Sequence, residues 1–494
     1  MATPIPANAA PLTAWSAAAA TGGRLARARD GGAAARGITS DSRAVTNGCA
    51  FVALRGAKYD GHDFVAAAVR AGASLVVVEN GEGGRAPRDA SVDVVEVDDT
   101  LAAWGDLARA HLRAWRRGRG DARVLAVTGS AGKTTTKELW AALLGATTTC
   151  HAAPGNLNNL VGVPAVAFGV EPRHHVAVFE LGMSTRGEIA RLARVVEPDV
   201  AVITNVGVAH AEGVGGTRAD VAREKGELFA ALAESSVAVA CFDDDAAMGQ
   251  LARTRARRAS TFGVGAGAGY RLIERSGSGL GGARLRVARP DGTEVSLDFP
   301  LAGEAAAVDL VAALAAVEAI AGRLDGQALS RALAAHPFDA PGRLQVRRLA
   351  SGTTVLDDTY NANPQSMRAA LRTLAEVADG RRRVVVLGEM RELGAAAEEE
   401  HTGLGAAIVE AGAGLAVSCG GLADLAVRAA ERSGVAAAYG KDADDAARAA
   451  AAMVRAADVV LVKASRAVGA ERVVRALVQA AGGEAAAVSA EGAG

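Results

Sequence analysis

Val124-Leu125-Ala126-Val127-Thr128-Gly129-Ser130-Ala131-Gly132-Lys133-Thr134-Thr135-Thr136 runs from a short apolar stretch straight into a glycine-bounded turn, a lysine and three threonines. The apolar stretch reads as a buried strand, and the pattern after Lys133 as a helix through Leu143. Between them the glycines let the backbone bend tightly and aim its N–H groups at an anion, and the helix N-terminus adds a favourable dipole. In that setting Lys133 brings a mobile positive charge to terminal phosphates, and the hydroxyl of Thr134 suits a divalent cation. Glycines after a strand also serve simple tight turns, but a simple turn has no use for the lysine and threonines that follow. The spacing is shorter than the general GxxxxGK(S/T) loop. Such a loop specifies a nucleotide phosphate and leaves the reaction open.

Outward from the loop, short β-branched runs at 176–181, 200–204 and 237–241 alternate with helical patterns, the signature of a mainly parallel, doubly wound α/β sheet. The glycine-rich stretch 263–282 reads as a loop leading into a small antiparallel element at 283–287 and 294–299. Before this block lie strands at 50–54 and 74–78 with a helix over 64–71; after it come strands at 354–356, 383–387, 415–419 and 459–462. The chain has 494 residues, and at about 100–200 residues per domain that length suggests three. The expected division is 1–117, 118–336 and 337–494, with the central domain carrying the phosphate loop and the last dozen residues frayed.

Half of the residues are hydrophobic and 22% are charged, enough apolar surface for several cores. The net charge of −1 argues against a nucleic-acid partner. The local basic run of Arg113, Arg116, Arg117 and Arg119 reads as a solvated helix end and linker. Cys49, Cys150, Cys241 and Cys419 are far apart, without a CxxC pair, and read as isolated thiols in a reducing compartment. No signal peptide and no run of about 20 apolar residues is evident, so a cytoplasmic protein without a membrane span is expected.

Glu180 ends one predicted central strand and His210 follows another, so both fall at carboxyl ends, where parallel sheets place their sites. A lone glutamate there could cap a helix, and a lone histidine is more often structural. Beside a phosphate loop the pair favours metal ligation. Lys225, in a charged helical stretch, reads by itself as an ordinary surface lysine.

The order of these motifs resembles the Mur ligase family. The short loop, Glu180-Leu181-Gly182-Met183, Thr204-Asn205 through His210, and Lys225 follow its pattern. Asp41-Ser42-Arg43 and Asp60-Gly61-His62-Asp63-Phe64 are similar to the uridine-binding domain of two of its branches. Asp357-Asp358-Thr359-Tyr360-Asn361-Ala362-Asn363-Pro364-Gln365-Ser366, Leu387-Gly388-Glu389-Met390-Arg391-Glu392-Leu393-Gly394 with His401, Gly155-Asn156-Leu157-Asn158-Asn159 and Gly162-Val163-Pro164 resemble one branch in particular. That branch joins D-alanyl-D-alanine to UDP-N-acetylmuramoyl-tripeptide in peptidoglycan precursor synthesis. Related ligases adding a different amine, or a nucleotide-binding regulatory homologue without ligation, remain as alternatives.

The resemblance implies an ATP-dependent, amide-forming ligase that works through an acyl phosphate, here as a monomer. It implies that Gly129, Ser130, Ala131, Gly132, Lys133, Thr134 and Thr135 bind ATP phosphates, with Arg343 reaching the γ-phosphate and Asp358 the ribose. Thr134 and Glu180 would hold one Mg²⁺, and His210 a second together with Lys225 as a carbamate. Lys133, His210, Lys225 and Arg343 are thus the candidate catalytic residues. Asn156 and Asn159 would line the substrate channel, and Ser42, Arg43, Asp60 and His62 would hold the uridine diphosphate end. Tyr360, Asn361, Asn363, Lys463 and Ser465 would form the dipeptide pocket, with Lys463 and Arg466 as counter-charges to its carboxylate. The family's Gly-x-His-Asn-x-x-Asn signature is here Gly303-Glu304-Ala305-Ala306-Ala307-Val308-Asp309, which leaves Asp309 as the polar group for adenine. As a carboxylate it can only accept a hydrogen bond, not donate one as an amide would.

Overall fold

Val124, Leu125, Ala126 and Val127 are completely buried because their strand, Arg123–Thr128, lies inside a nine-stranded sheet. The computed structural model of the chain describes residues 6–29, 32–56, 58–152, 155–277, 279–338 and 340–485. Most of the expected frayed terminus, from 486 on, lies outside them. In the central sheet the phosphate-loop strand pairs in parallel with Val176–Glu180 on one side and Val200–Ile203 on the other. Beyond these come Cys150–Ala152 at one edge and Val237–Cys241 and Arg258–Gly263 toward the other. Chain order reverses at the loop strand, so a crevice opens at its carboxyl end. That is where Glu180 and Thr204 emerge beside the loop.

The stretch expected as a loop over 263–282 contains a strand, Tyr270–Ser276, which joins the antiparallel pair Ala283–Ala288 and Glu294–Phe299. Its inward residue Leu272 is buried; the flanking glycines obscured a run of seven residues long enough to pair.

The N-terminal sheet has five strands, Ile38–Thr39, Ala50–Val52, Leu75–Glu79 and Asp93–Val97 in parallel and Arg24–Arg27 antiparallel at its edge. The helix Thr100–Gly118 follows it and presents Trp104, Leu107, Ala108, Leu112 and Trp115 to one continuous apolar core shared with the central domain. Its indoles donate to the carbonyls of Val161 and His174, both at 2.9 Å. The basic run is exposed at Arg113 and Arg117, as a solvated helix end would be, but it also makes ion pairs across to the central domain: Arg109 and Arg113 both hold Glu197 at 2.6 Å, and Arg116 holds Asp199 at 3.0 Å.

The third domain is a six-stranded sheet, parallel except for its edge strand Gln345–Arg348, with a separate apolar cluster on each face. The expected boundary after 336 falls between the helix Gly326–Ala335 and that strand. All four cysteines are free. No single helix among the described residues is long and apolar enough to cross a membrane.

Candidate active site

Two glycines make the phosphate loop possible. A Cβ on Gly129 would stand 1.8 Å from the Thr204 hydroxyl, and Gly132 has φ +82°. Gly132 caps the helix Lys133–Gly145 with no side-chain bond, and Thr136 is the first amide to bond back, to the Gly132 carbonyl at 2.8 Å. The N–H groups of Lys133, Thr134 and Thr135 in the first turn are therefore left without an intrahelical acceptor, as an anion site requires. Neighbouring strand ends brace the turn. The Asn205 amide accepts from the Ala131 N–H at 2.9 Å and donates to the Ala131 carbonyl at 3.1 Å, and Thr204 donates to that carbonyl at 2.6 Å. The Ser130 hydroxyl accepts from Gly207 N–H at 2.8 Å. Lys133 folds over its own loop, its ammonium donating to the Gly129 carbonyl at 2.7 Å.

Thr134 donates to Glu180 at 2.7 Å, and the other Glu180 oxygen accepts from Asn158 at 2.7 Å. Burial pushes the Glu180 carboxyl up, but the charges of Lys133 and Arg343, the Asn158 bond and Lys137 together hold it below its ordinary value. Burial likewise pushes the Lys133 ammonium down; Glu180 pulls it back and Arg343 adds to the fall. Asn158 and Asn205 are the functional positions that the sequence reading did not single out. Both belong to the family-like motifs 155–159 and 204–210, but nothing in the chain separates Asn158 from Asn156 and Asn159. The Asn159 side chain is engaged at the entry to the helix Gly162–Phe168, accepting from Val161 and Gly162 N–H, whereas the Asn156 side chain bonds the Tyr360 hydroxyl.

A cavity of about 740 Å³ opens over the loop, bounded by the central and third domains. Glu180, His210, Lys225, Asn156, Asn159, Arg343, Asp358, Tyr360, Asn361, Asn363 and Lys463 all border it. Lys225 is only 2% exposed and makes no hydrogen bond or ion pair with any described residue, so it is no surface lysine. Burial first, then the charge of Lys133, holds its ammonium well below the ordinary value against the opposing pull of Glu224. His210 has φ +62°, and its Nδ1 meets the Glu392 carboxylate of the third domain.

Arg343 lies over the Tyr360 ring, 4.1 Å from its centroid, with Arg466 at 5.6 Å. Asn363 caps the helix Pro364–Val377 and donates to the Ser130 carbonyl at 3.0 Å, tying the third domain to the phosphate loop. Lys463 has an internal partner: its buried ammonium donates to Asp358 at 2.6 Å and to the Asn361 carbonyl at 2.9 Å. The second Asp358 oxygen accepts from Leu344 N–H at 3.2 Å. Ser465 is buried too, accepting from Arg391 N–H at 3.0 Å. Arg466 makes no ion pair among the described residues and is exposed, which leaves it as the available cation beside Tyr360.

Asp309 packs against the loop itself: a Cβ on Gly132 would come within 2.3 Å of its Oδ1. Burial raises its carboxyl well above the ordinary range. Ala305 and Ala306 border the same cavity. Ser42, Arg43, Asp60 and His62 do not; they follow the carboxyl ends of strands in the N-terminal sheet. There Arg43 pairs with Asp41 at 2.6 Å, and buried His62 bonds Asp60 at 2.6 Å and accepts from Glu79 N–H at 3.0 Å.

A braced phosphate loop at the junction of α/β domains, with an acidic residue on its threonine and cations from a third domain, defines a three-domain nucleotide-site protein. Three family profiles match in the same order: Mur ligase family, catalytic domain over 35–112; Mur ligase middle domain over 127–317; and Mur ligase, glutamate ligase domain over 342–466. The chain belongs to the Mur ligase family. A UDP-N-acetylmuramoyl-tripeptide–D-alanyl-D-alanine ligase from Escherichia coli (strain K12) is 36% identical over 383 residues, 78% of this chain and 81% of the relative. MurF from Acinetobacter baumannii superposes with a TM-score of 0.84 at 30% identity, covering 94% of this chain and 98% of that one. MurF ligase from Thermotoga maritima, solved in complex with ADP, gives 0.75 at 28% identity over 89% and 96%.

Proposed function

We propose that the chain joins D-alanyl-D-alanine to UDP-N-acetylmuramoyl-tripeptide at the expense of ATP. The observation that supports this most is the Thr134–Glu180 pair on the phosphate loop, facing a cavity whose other wall carries Arg343 and Tyr360. A peptide carboxylate is a poor electrophile. Its oxygen attacks the γ-phosphorus, ADP leaves, and the resulting acyl phosphate accepts the dipeptide amine; phosphate then departs and the nitrogen loses a proton. Lys133 and Arg343 hold charge on the transferring phosphoryl. Asn156, on the Tyr360 hydroxyl, ties the third domain to the central one beside the loop, and Arg343 is held over the same ring within the third domain. Closure of the two domains keeps water from the acyl phosphate.

The donor set suits Mg²⁺. A hydroxyl and one carboxylate are hard oxygen ligands, and no cluster of three acidic, His or Cys side chains occurs among the described residues. Such a site suits a cation that takes its remaining ligands from phosphate and water. When bound, it would neutralise crowded phosphate oxygens. Lys225 fits a carbamate: a buried, unpartnered amine held well below its ordinary value is the free base that adds to CO₂ and releases a proton. The product, together with His210, would offer a further anionic oxygen to a second cation.

Phosphate release from ATP with the UDP-muramoyl tripeptide, across a panel of amines, tests the reading. D-alanyl-D-alanine should outcompete single amino acids; preference for free diaminopimelate or lysine, or no release with any amine, would overturn it.

A further inference from the structure

The loop Leu387-Gly388-Glu389-Met390-Arg391-Glu392-Leu393-Gly394 takes no part in the chemistry above, yet hydrogen bonds from neighbouring segments tether it. Gly388 N–H donates to the Lys463 carbonyl at 2.9 Å, Ser465 N–H to the Glu389 carbonyl at 3.1 Å, and Arg391 N–H to the Ser465 hydroxyl at 3.0 Å. A further bond runs from Met390 N–H to Nε2 of buried His401 at 2.9 Å. The other His401 nitrogen faces the Ala397 carbonyl at 2.6 Å, which can only accept; His401 therefore carries its proton on Nδ1 and receives Met390 on Nε2. Ser465 and His401 are thus explained as supports of this turn.

What the turn holds in place is Glu392. Its carboxylate crosses the domain junction to Nδ1 of His210. Left-handed backbone at a non-glycine residue is uncommon, and here it occurs on both sides of one contact, φ +64° at Glu392 and +62° at His210. A carboxylate accepts hydrogen bonds and cannot donate them, so the contact requires the proton on Nδ1. That leaves Nε2 of a neutral imidazole as a bare lone pair, on a residue that borders the cavity and has no other hydrogen bond among the described residues.

We propose that Glu392 is a positioning residue: supplied by the third domain, it fixes the tautomer and orientation of the central-domain His210 and so readies Nε2 for the divalent cation. This rests on the reading of His210 as a residue that faces that cation. A carboxylate behind a ligating histidine typically changes metal affinity by about 10–100-fold. Docking of the third domain is then coupled to completion of the cation site, because the orienting group and the oriented group sit on different domains.

The test uses the full chain with ADP, and the variants Glu392→Gln, His210→Gln and the double variant. In Glu392→Gln the new side-chain amide could accept from Nδ1–H or donate to a bare Nδ1, so that change keeps a contact and removes the tautomer bias. Side-chain ¹⁵N–¹H correlation spectra of histidine-labelled protein with Mg²⁺, with the His210 signal assigned by its loss in His210→Gln, should show an Nδ1–H tautomer. Glu392→Gln should turn this into a mixture. Mn²⁺ affinity by electron paramagnetic resonance should fall about tenfold in Glu392→Gln, and the double variant should bind no more weakly than His210→Gln alone. An unchanged tautomer in Glu392→Gln, whatever happens to Mn²⁺ affinity, would reduce Glu392 to a docking contact and overturn the proposal. Unchanged Mn²⁺ affinity in His210→Gln would instead remove His210 from the cation site, and the proposal with it.

Discussion

The Thr134 hydroxyl and the Glu180 carboxylate, separated by 46 residues in the chain, meet at 2.7 Å where two parallel strands end side by side. Asn158 occupies the second carboxylate oxygen, so the acid is aimed at the loop before any nucleotide arrives.

From that arrangement, Lys133→Ala and Glu180→Gln should each keep the fold, judged by circular dichroism, and each lower phosphate release on the order of 10²-fold or more. A Lys133→Ala enzyme that released phosphate near the parent rate would take the loop out of the reaction.

Lys225→Ala should be nearly inactive, and formate or acetate should partly restore it by supplying the missing anionic oxygens. Rescue by small amines with none by carboxylates would assign the function of Lys225 to its positive charge instead.

The two cations of the Lys463-Ala464-Ser465-Arg466 stretch should behave oppositely. Arg466→Ala should raise KM for D-alanyl-D-alanine by about 10- to 150-fold, the loss expected of one charge-assisted contact worth about 1.5–3 kcal/mol, with KM for ATP little changed. Lys463→Ala leaves Asp358 without its buried partner and should destabilise the third domain by about 3–5 kcal/mol. Urea unfolding and steady-state kinetics together separate the two; an Arg466→Ala enzyme with unaltered acceptor KM would place the dipeptide carboxylate elsewhere.

Those two residues also show where sequence reading stops. The phosphate loop was legible because strand, glycines, lysine and helix are contiguous, and local chemistry decides all of them. Lys463 was not, because its partner Asp358 lies directly opposite on the adjacent parallel strand, a register that only the folded sheet creates. The same holds for Asn158, one of three amides in four residues, of which the fold turns one onto Glu180. The strand Tyr270–Ser276 was hidden by glycines on either side, whose flexibility outweighed the propensity of seven residues between them.

Asp309 gives a pH dependence with a definite sign. Its folded carboxyl holds a proton above the ordinary value of 3.8, so between that value and the raised one the folded chain binds more protons than the unfolded chain. The contribution of this group to stability is fully present below the ordinary value and is lost as pH rises through the folded one. Asp309→Asn should therefore be more stable than the parent at neutral pH, by about 1–3 kcal/mol, and the difference should shrink as the solution is acidified. Parallel stability curves for the two proteins across that range would show that the carboxyl is not an uncompensated charge.

The shared core along Thr100–Gly118, closed by Arg109, Arg113 and Arg116 on Glu197 and Asp199, has a thermodynamic meaning. Apolar contacts that cross a boundary make the two sides melt together, whereas the third domain has its own clusters on both faces of its own sheet. A protein with three domains by sequence should thus denature as two cooperative units. In differential scanning calorimetry the first 336 residues should give one endotherm and the remainder another, and nucleotide should draw the two together by bridging the seam between them.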